Sequence, residues 1–83
     1  MSDGATRLDA WVWAVRMAKT RSAATEAVKA GRVRLNGDAA KPSARVVVGD
    51  RVEVRRGTWR LEVEVLELRS KRVGAPLAEA SYR

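Results

Sequence analysis

The stretch RLDAWVWAVRMAKTRSAATEAVKAGRVRLNG, residues 7–37, decides the fold. Leu8, Val12 and Val15 recur at spacings of four and three, which places them on one inward helical face. Asp9 stands where an N-cap would precede the apolar run, and Leu8 and Trp13 have the spacing of a hydrophobic staple. The helix is expected to end near Ala18 or Lys19, with Arg16 and Lys19 in its last turn, where cations complement the helix dipole. Ser22 is the expected N-cap of a second helix reaching Ala30, and Gly31 follows as a C′ residue able to turn left-handed. Ala24, Ala27 and Val28 form a narrow stripe of mostly small side chains, so the two helices should pack closely. After Gly31 the period changes from helical to alternating: Val33 and Leu35 face one way, Arg32 and Arg34 the other.

Working outward, Asn36-Gly37 signals a tight turn because both residues tolerate positive φ. Lys41-Pro42-Ser43 marks another turn, Val46-Val47-Val48 a short buried run, and Gly49-Asp50 a further reversal. Val52 and Val54 alternate with charged residues. Arg56-Gly57 turns the chain again, and Trp59, Leu61, Val63 and Val65 then share one face until the phase slips at Val65-Leu66, as at a bulge or strand end. Trp11, Trp13 and Trp59 are expected in the core. Helices followed by strands predict an α+β domain, a helix-loop-helix packed on a small antiparallel sheet. The expected organisation is a disordered start over 1–6, a domain over 7–68 and a basic tail over 69–83, with Tyr82 unassigned within it.

Composition excludes whole classes of chemistry. The chain has 83 residues, no Cys and no His, so disulfides, the common structural zinc sites and histidine-based catalysis are ruled out. The six glycines fit neither the Walker A nor the dinucleotide-binding spacing. Carboxylates are few, and Glu62, Glu64 and Glu67 share a strand with the apolar face, so no paired-carboxylate catalysis is expected. No enzyme activity, cofactor or metal is anticipated. Uncharged runs reach only about six residues, far below a membrane span, and the first residues lack a signal-peptide pattern. A cytoplasmic monomer with no membrane partner is expected.

The formal net charge is +7, and it is unevenly placed. Residues 7–45 carry nine bases against three acids, residues 46–68 four against five, and residues 69–83 four against one. The basic residues comprise 13 Arg and 4 Lys, a balance suited to forked phosphate contacts. The first half is therefore the binding candidate and residues 46–68 the scaffold. Lys19, Thr20, Arg21 and Ser22 gather at the start of the second helix, where free N–H groups and the dipole favour phosphate. With Arg7, Arg32, Arg34, Asn36 and Lys41 they should converge on one concave strip. Such a strip would follow a phosphate backbone with little base reading. An acidic protein or DNA could meet the same basic face.

Arg7 to Arg16, then Lys19-Thr20-Arg21-Ser22-Ala23-Ala24, Gly31 to Gly37, Lys41-Pro42-Ser43 and Val48-Gly49-Asp50 together resemble the RNA-binding domain named after small-subunit ribosomal protein four. The resemblance runs from Arg7 to about Val54. Its Trp-Val-Trp helix and its Lys-Thr-Arg-Ser loop look most like the free-standing heat-shock-protein-fifteen branch. It implies RNA contacts at Arg7, Arg16, Lys19, Thr20, Arg21, Ser22, Arg32, Arg34, Asn36 and Lys41. It also implies binding to structured ribosomal RNA or tRNA on the large ribosomal subunit, notably one obstructed by a stalled nascent chain. Ala10 departs from the basic residue usual there, and Met17-Ala18 from a commonly aromatic pair. The chain stops where that family continues into a longer basic tail, which implies a truncated chain or one without the tail-dependent contact.

Overall fold

A computed structural model describes residues 4–83; part of the expected disordered start, residues 1–3, lies outside the described residues. The elements run β1 (Thr6–Arg7), α1 (Leu8–Ala14), α2 (Arg21–Lys29), β2 (Val33–Leu35), β3 (Asp38–Ala39), β4 (Arg45–Val46), β5 (Arg51–Arg56), β6 (Trp59–Glu64) and α3 (Ala75–Ala80). The α+β reading holds. Strands β3-β2-β5-β6 form one antiparallel sheet and β1-β4 a two-stranded ribbon. Both helices of the α1–α2 pair pack on the main sheet through one core. Leu8, Trp11, Val12, Val15, Ala24, Val28, Val33, Val52 and Val63 meet there, each at most 3% exposed.

Helix α1 is shorter than its periodicity predicts. It stops at Ala14, because Arg16 takes a left-handed φ of 67°. The Arg16 and Met17 amides then donate to the Trp13 and Val12 carbonyls, a Schellman ending built without glycine. The turn drives Met17 into the core, where it is 8% exposed. Helix α2 closes as its sequence implies: Gly31 (φ 78°) and Arg32 donate to Val28 and Ala27. Its N-cap, however, is Thr20, whose hydroxyl accepts from the Ala23 amide at 3.0 Å. Ser22, the expected cap, is an exposed residue of the first turn.

Asn36 (φ 53°) and Gly37 (φ 86°) form the tight β2–β3 turn, with two successive positive φ angles as a type I′ turn requires. Only Val46 of the valine run is buried; Val47 and Val48 are 42% and 59% exposed. Val46 pairs with Thr6, whereas Val47 and Val48 lead into the Gly49-Asp50 reversal. The phase slip at Val65 is a strand end, since β6 finishes at Glu64 and Val65 bridges to Tyr82.

Residues 69–83 fold back onto the domain. Ala78 of α3 is buried, and the Tyr82 ring meets Trp11 edge-on at 6.4 Å. The Trp11 indole N–H donates to the Glu67 carbonyl at 2.9 Å. No helix among the described residues is long and apolar enough to cross a membrane.

Candidate nucleic-acid interface

Asp9 does not cap α1. The first two amides of that helix, Leu8 and Asp9, donate instead to the carbonyls of Ala44 (2.8 Å) and Pro42 (3.1 Å). The Lys41-Pro42-Ser43 turn therefore caps the helix from outside, and the Asp9 carboxylate is released for other partners. It is 1% exposed and accepts from Arg7 Nε and Nη2, both at 3.1 Å, from Arg21 Nη2 at 3.3 Å and from Thr25 Oγ1 at 2.9 Å. Burial pushes its pKa up, but the Arg7 and Thr25 hydrogen bonds and the Arg21 and Arg7 charges outweigh that and hold it below the ordinary value. The two arginine side chains remain about half exposed. A buried anion thus holds two surface cations from beneath, one before α1 and one at the start of α2.

The α1–α2 loop is fixed by cations from far along the chain. Arg56 donates to the Met17 carbonyl, and Arg72 to those of Ala18 (3.2 Å) and Lys19 (2.8 Å). Arg72 also lies over the Trp13 ring at 5.9 Å, within cation–π range. Between this loop, α2 and β5 runs an open groove of about 280 Å³ whose rim carries Lys19, Arg32, Arg55 and Arg56. Its floor is apolar, from Val12, Ala27 and Val54. Beside it, the nine-residue helix α2 begins at its Thr20 cap, leaving N–H groups and a positive dipole end. Fixed cations and helix-terminal donors can hold phosphates. Among the described residues no group of three or more acidic, His or Cys side chains could hold a metal.

The predicted single strip is divided. Lys19 and Arg32 meet in the groove, and Arg7, Thr20, Arg21 and Ser22 lie along the helix-pair face. Arg34 is not on the groove: it stands opposite Glu53 on β5, on the other face of the sheet from Val33. Glu53 is 8% exposed and gathers Arg55 (2.7 Å) and Arg60 (3.8 Å) around it. The Arg55 hydrogen bond, opposed by burial and aided by the Arg55, Arg60 and Arg34 charges, keeps its carboxyl below the ordinary range. Asn36 is committed to the fold, its amide accepting from the Arg51 N–H at 2.9 Å and donating to Asp50 at 3.2 Å. Lys41 is exposed at the capping turn. Arg16 sits on a neighbouring groove with Trp59. Ala10, where the family pattern carries a base, is 5% exposed.

Sequence reasoning missed Arg55 and Arg56 because residues 46–68 are nearly neutral as a block, and Arg72 because it falls in the segment expected to be a tail. The acids of that block are shared out: Glu53 answers Arg55 at 2.7 Å, whereas Glu64 pairs with Arg83 at 3.0 Å and leaves Arg56 without an acidic partner among the described residues. Reading the charge residue by residue beside the hairpin turn, instead of by segment, would have marked Arg55-Arg56.

Comparison with known proteins places this arrangement. The S4 domain model matches residues 6–52, from β1 into β5. The chain is 42% identical over 76 residues to a heat shock protein 15 homolog of Aeromonas salmonicida, covering 92% of this chain and 58% of that protein. It is 41% identical over 63 residues to the RQC P-site tRNA stabilizing factor of Streptococcus pneumoniae, covering 76% and 72% of the two chains. A solved structure of Vibrio cholerae heat shock protein 15, described as trimeric, superposes with a TM-score of 0.90 at 40% identity, over 95% of this chain and 80% of that one. The chain spans less than two thirds of the length of the heat shock protein 15 homologs of Aeromonas salmonicida and Haemophilus influenzae. With the family model covering more than half of its residues, the chain belongs to the S4 domain family.

Proposed function

We propose that this chain is a non-catalytic RNA-binding protein that grips structured ribosomal RNA or tRNA through its basic face. The carrying observation is the pair of half-exposed arginines, Arg7 and Arg21, held by the buried Asp9 carboxylate beside the Thr20-capped start of α2. Arginines pre-set in this way lose less freedom on meeting a phosphate than free side chains do. Lys19 and Arg32 on the adjoining groove extend the path. Arg16, Ser22 and Lys41 are the further contacts this reading assigns; it leaves out Arg34, on the other face of the sheet, and Asn36, whose amide is held by Arg51 and Asp50. One copy carries the whole groove, so a monomer suffices.

The relatives narrow the setting. One is named for stabilising P-site tRNA in ribosome quality control, and others are heat shock proteins. We accordingly place this chain in the cytoplasm, on the large ribosomal subunit, in the rescue of stalled nascent-chain complexes. Sucrose-gradient sedimentation of a cell lysate tests this: the protein should travel with the large subunit. The Lys19→Ala/Arg32→Ala variant should shift to the top of the gradient. Both residues are exposed and their side chains make no described hydrogen bond, so the fold should survive. A folded double variant that sediments like the unaltered protein would remove the groove from the interface. Competition between matched RNA and DNA hairpins should favour RNA.

A further inference from the structure

The row Val63, Leu61, Trp59 on β6 lies opposite Val52, Val54 and Arg56 on β5. By strand alternation all three side chains face the helices. Their exposure nevertheless rises along the row: Val63 is 3% exposed, Leu61 is partly buried and Trp59 is 54% exposed. The reason is the early end of α1. The chain leaves the helix at Arg16, and among the described residues no element covers the last position of the row. Trp59 is therefore an inner-face aromatic without a lid, at the mouth of an open groove of about 170 Å³.

The surroundings are cationic. Arg16 and Arg56 line this groove with Met17, Leu61 and Tyr82, and among the described residues no acidic side chain does. Arg16 holds a left-handed backbone that is costly for a side chain with a Cβ, and such strain concentrates at functional positions. One nitrogen of each guanidinium is tied to a carbonyl, Arg16 to Val73 and Arg56 to Met17, which fixes both beside the ring. Met17, Val54 and Arg56 line this groove and the Lys19–Arg32 groove alike, so the two adjoin across the Arg56–Met17 hydrogen bond. The volume is below the roughly 300 Å³ of a drug-sized pocket and suits a single flat ring.

We propose that Trp59 is a stacking platform for one unpaired RNA base, with Arg16 and Arg56 holding the phosphates on either side of it. This deepens the RNA-binding reading, on which it rests: the strand would leave the Lys19–Arg32 groove and turn over Trp59. Two guanidiniums and no carboxylate favour a nucleic acid strand over an acidic protein segment, which would supply charge but no ring to stack.

Fluorescence anisotropy with labelled ten-residue oligoadenylate at low salt tests the platform. Trp59→Ala should bind about 5- to 150-fold more weakly, the range set by loss of one base–aromatic stack. Trp59→Phe should recover most of that loss. Oligoadenylate should quench tryptophan emission in the unaltered protein, and the quench should vanish in Trp59→Phe. Unchanged affinity of a folded Trp59→Ala variant would overturn the proposal. So would an unquenched emission, or deca-glutamate quenching Trp59 where oligoadenylate does not. The Lys19→Ala/Arg32→Ala variant separates the two readings when bound to a hairpin RNA. If it binds the hairpin normally while Trp59→Ala still loses oligoadenylate, the groove reading fails and the platform stands. If it loses the hairpin while Trp59→Ala keeps oligoadenylate, the platform fails and the groove stands.

Discussion

Asp9 and Arg21 stand twelve positions apart in the chain, and the Arg21 guanidinium donates to the Asp9 carboxylate at 3.3 Å. The bond crosses from α1 to α2, and Thr25 Oγ1 reinforces it one turn further along α2. Arg7 closes the other side of the same carboxylate. The relative placement of two surface cations is thus determined by an acid the solvent barely reaches. The arginines lie on the surface and can bind; the acid lies beneath them and can only orient.

Asp9→Ala should therefore lower RNA affinity, although it makes the protein more positive by one charge. Simple charge counting predicts the opposite sign, so a hairpin-binding titration decides between the two. Stability should fall as well, by about 1–3 kcal/mol, the scale of hydrogen bonds to a charged group. The lower part of that range is expected because both arginines can return to water. Asp38→Asn, at the exposed start of β3, is the control: it should leave stability unchanged and affinity equal or slightly raised.

The same cluster sets an acid limit. Asp9 is held below its ordinary pKa, so its unfolded form binds protons more readily than its folded form. Its contribution to stability is complete above the ordinary Asp range, near pH 4, and is lost as pH falls through the lower folded value. Glu53, lowered by its Arg55 bond, acts in the same direction. Urea midpoints measured between pH 6 and pH 3 should fall with acidification. The Asp9→Asn variant should start lower and show a shallower slope.

Arg16 should trade stability for binding. Its φ of 67° costs a residue with a Cβ about 1–2 kcal/mol, which glycine avoids. Arg16→Gly should raise the urea midpoint, by about 1 kcal/mol in stability after the exposed bond to Val73 is lost. RNA affinity should fall. A variant that is less stable, or that binds RNA as well, would show that the left-handed arginine serves neither end.

Caps distinguish what the sequence alone conveys from what it does not. Thr20→Ala should cost about 1 kcal/mol because its hydroxyl receives the Ala23 amide, whereas Ser22→Ala should change stability by only a few tenths. Both residues have cap chemistry, and two positions of offset are beyond what local pattern resolves.

The close of α2 and the β2–β3 turn were legible because Gly31 and Asn36-Gly37 have few conformational alternatives. The close of α1 was not, since an arginine is a poor left-handed residue and only the packing of Met17 places it there. Asp9 looked like a cap because Pro42 and Ala44, which supply the carbonyls, lie more than thirty residues away. Alternation told which way Trp59 faces, and it could not tell that α1 ends before covering it. The basic face was legible in its first half, where the charges cluster in sequence. Its second half was hidden because Arg55 and Arg56 reach the groove by strand pairing.

That hidden half yields the sharpest measurement of the interface. Each phosphate neutralised contributes about 0.7–0.9 to the slope of log affinity against log salt. Arg32 and Arg55 line the same groove, one marked by its sequence context and the other by the structure. Arg32→Ala should reduce the slope for hairpin RNA by about one such step and weaken binding across different sequences alike, and Arg55→Ala should reduce it by less, because Glu53 already answers part of its charge at 2.7 Å. Arg55→Ala also removes a partner of Glu53, so its fold is checked first by thermal unfolding. Arg83→Ala removes the same formal charge from a site already answered by Glu64 at 3.0 Å, and its slope should match that of the unaltered protein. Three equal slope changes would mean that only net charge is sensed and that the groove has no special place.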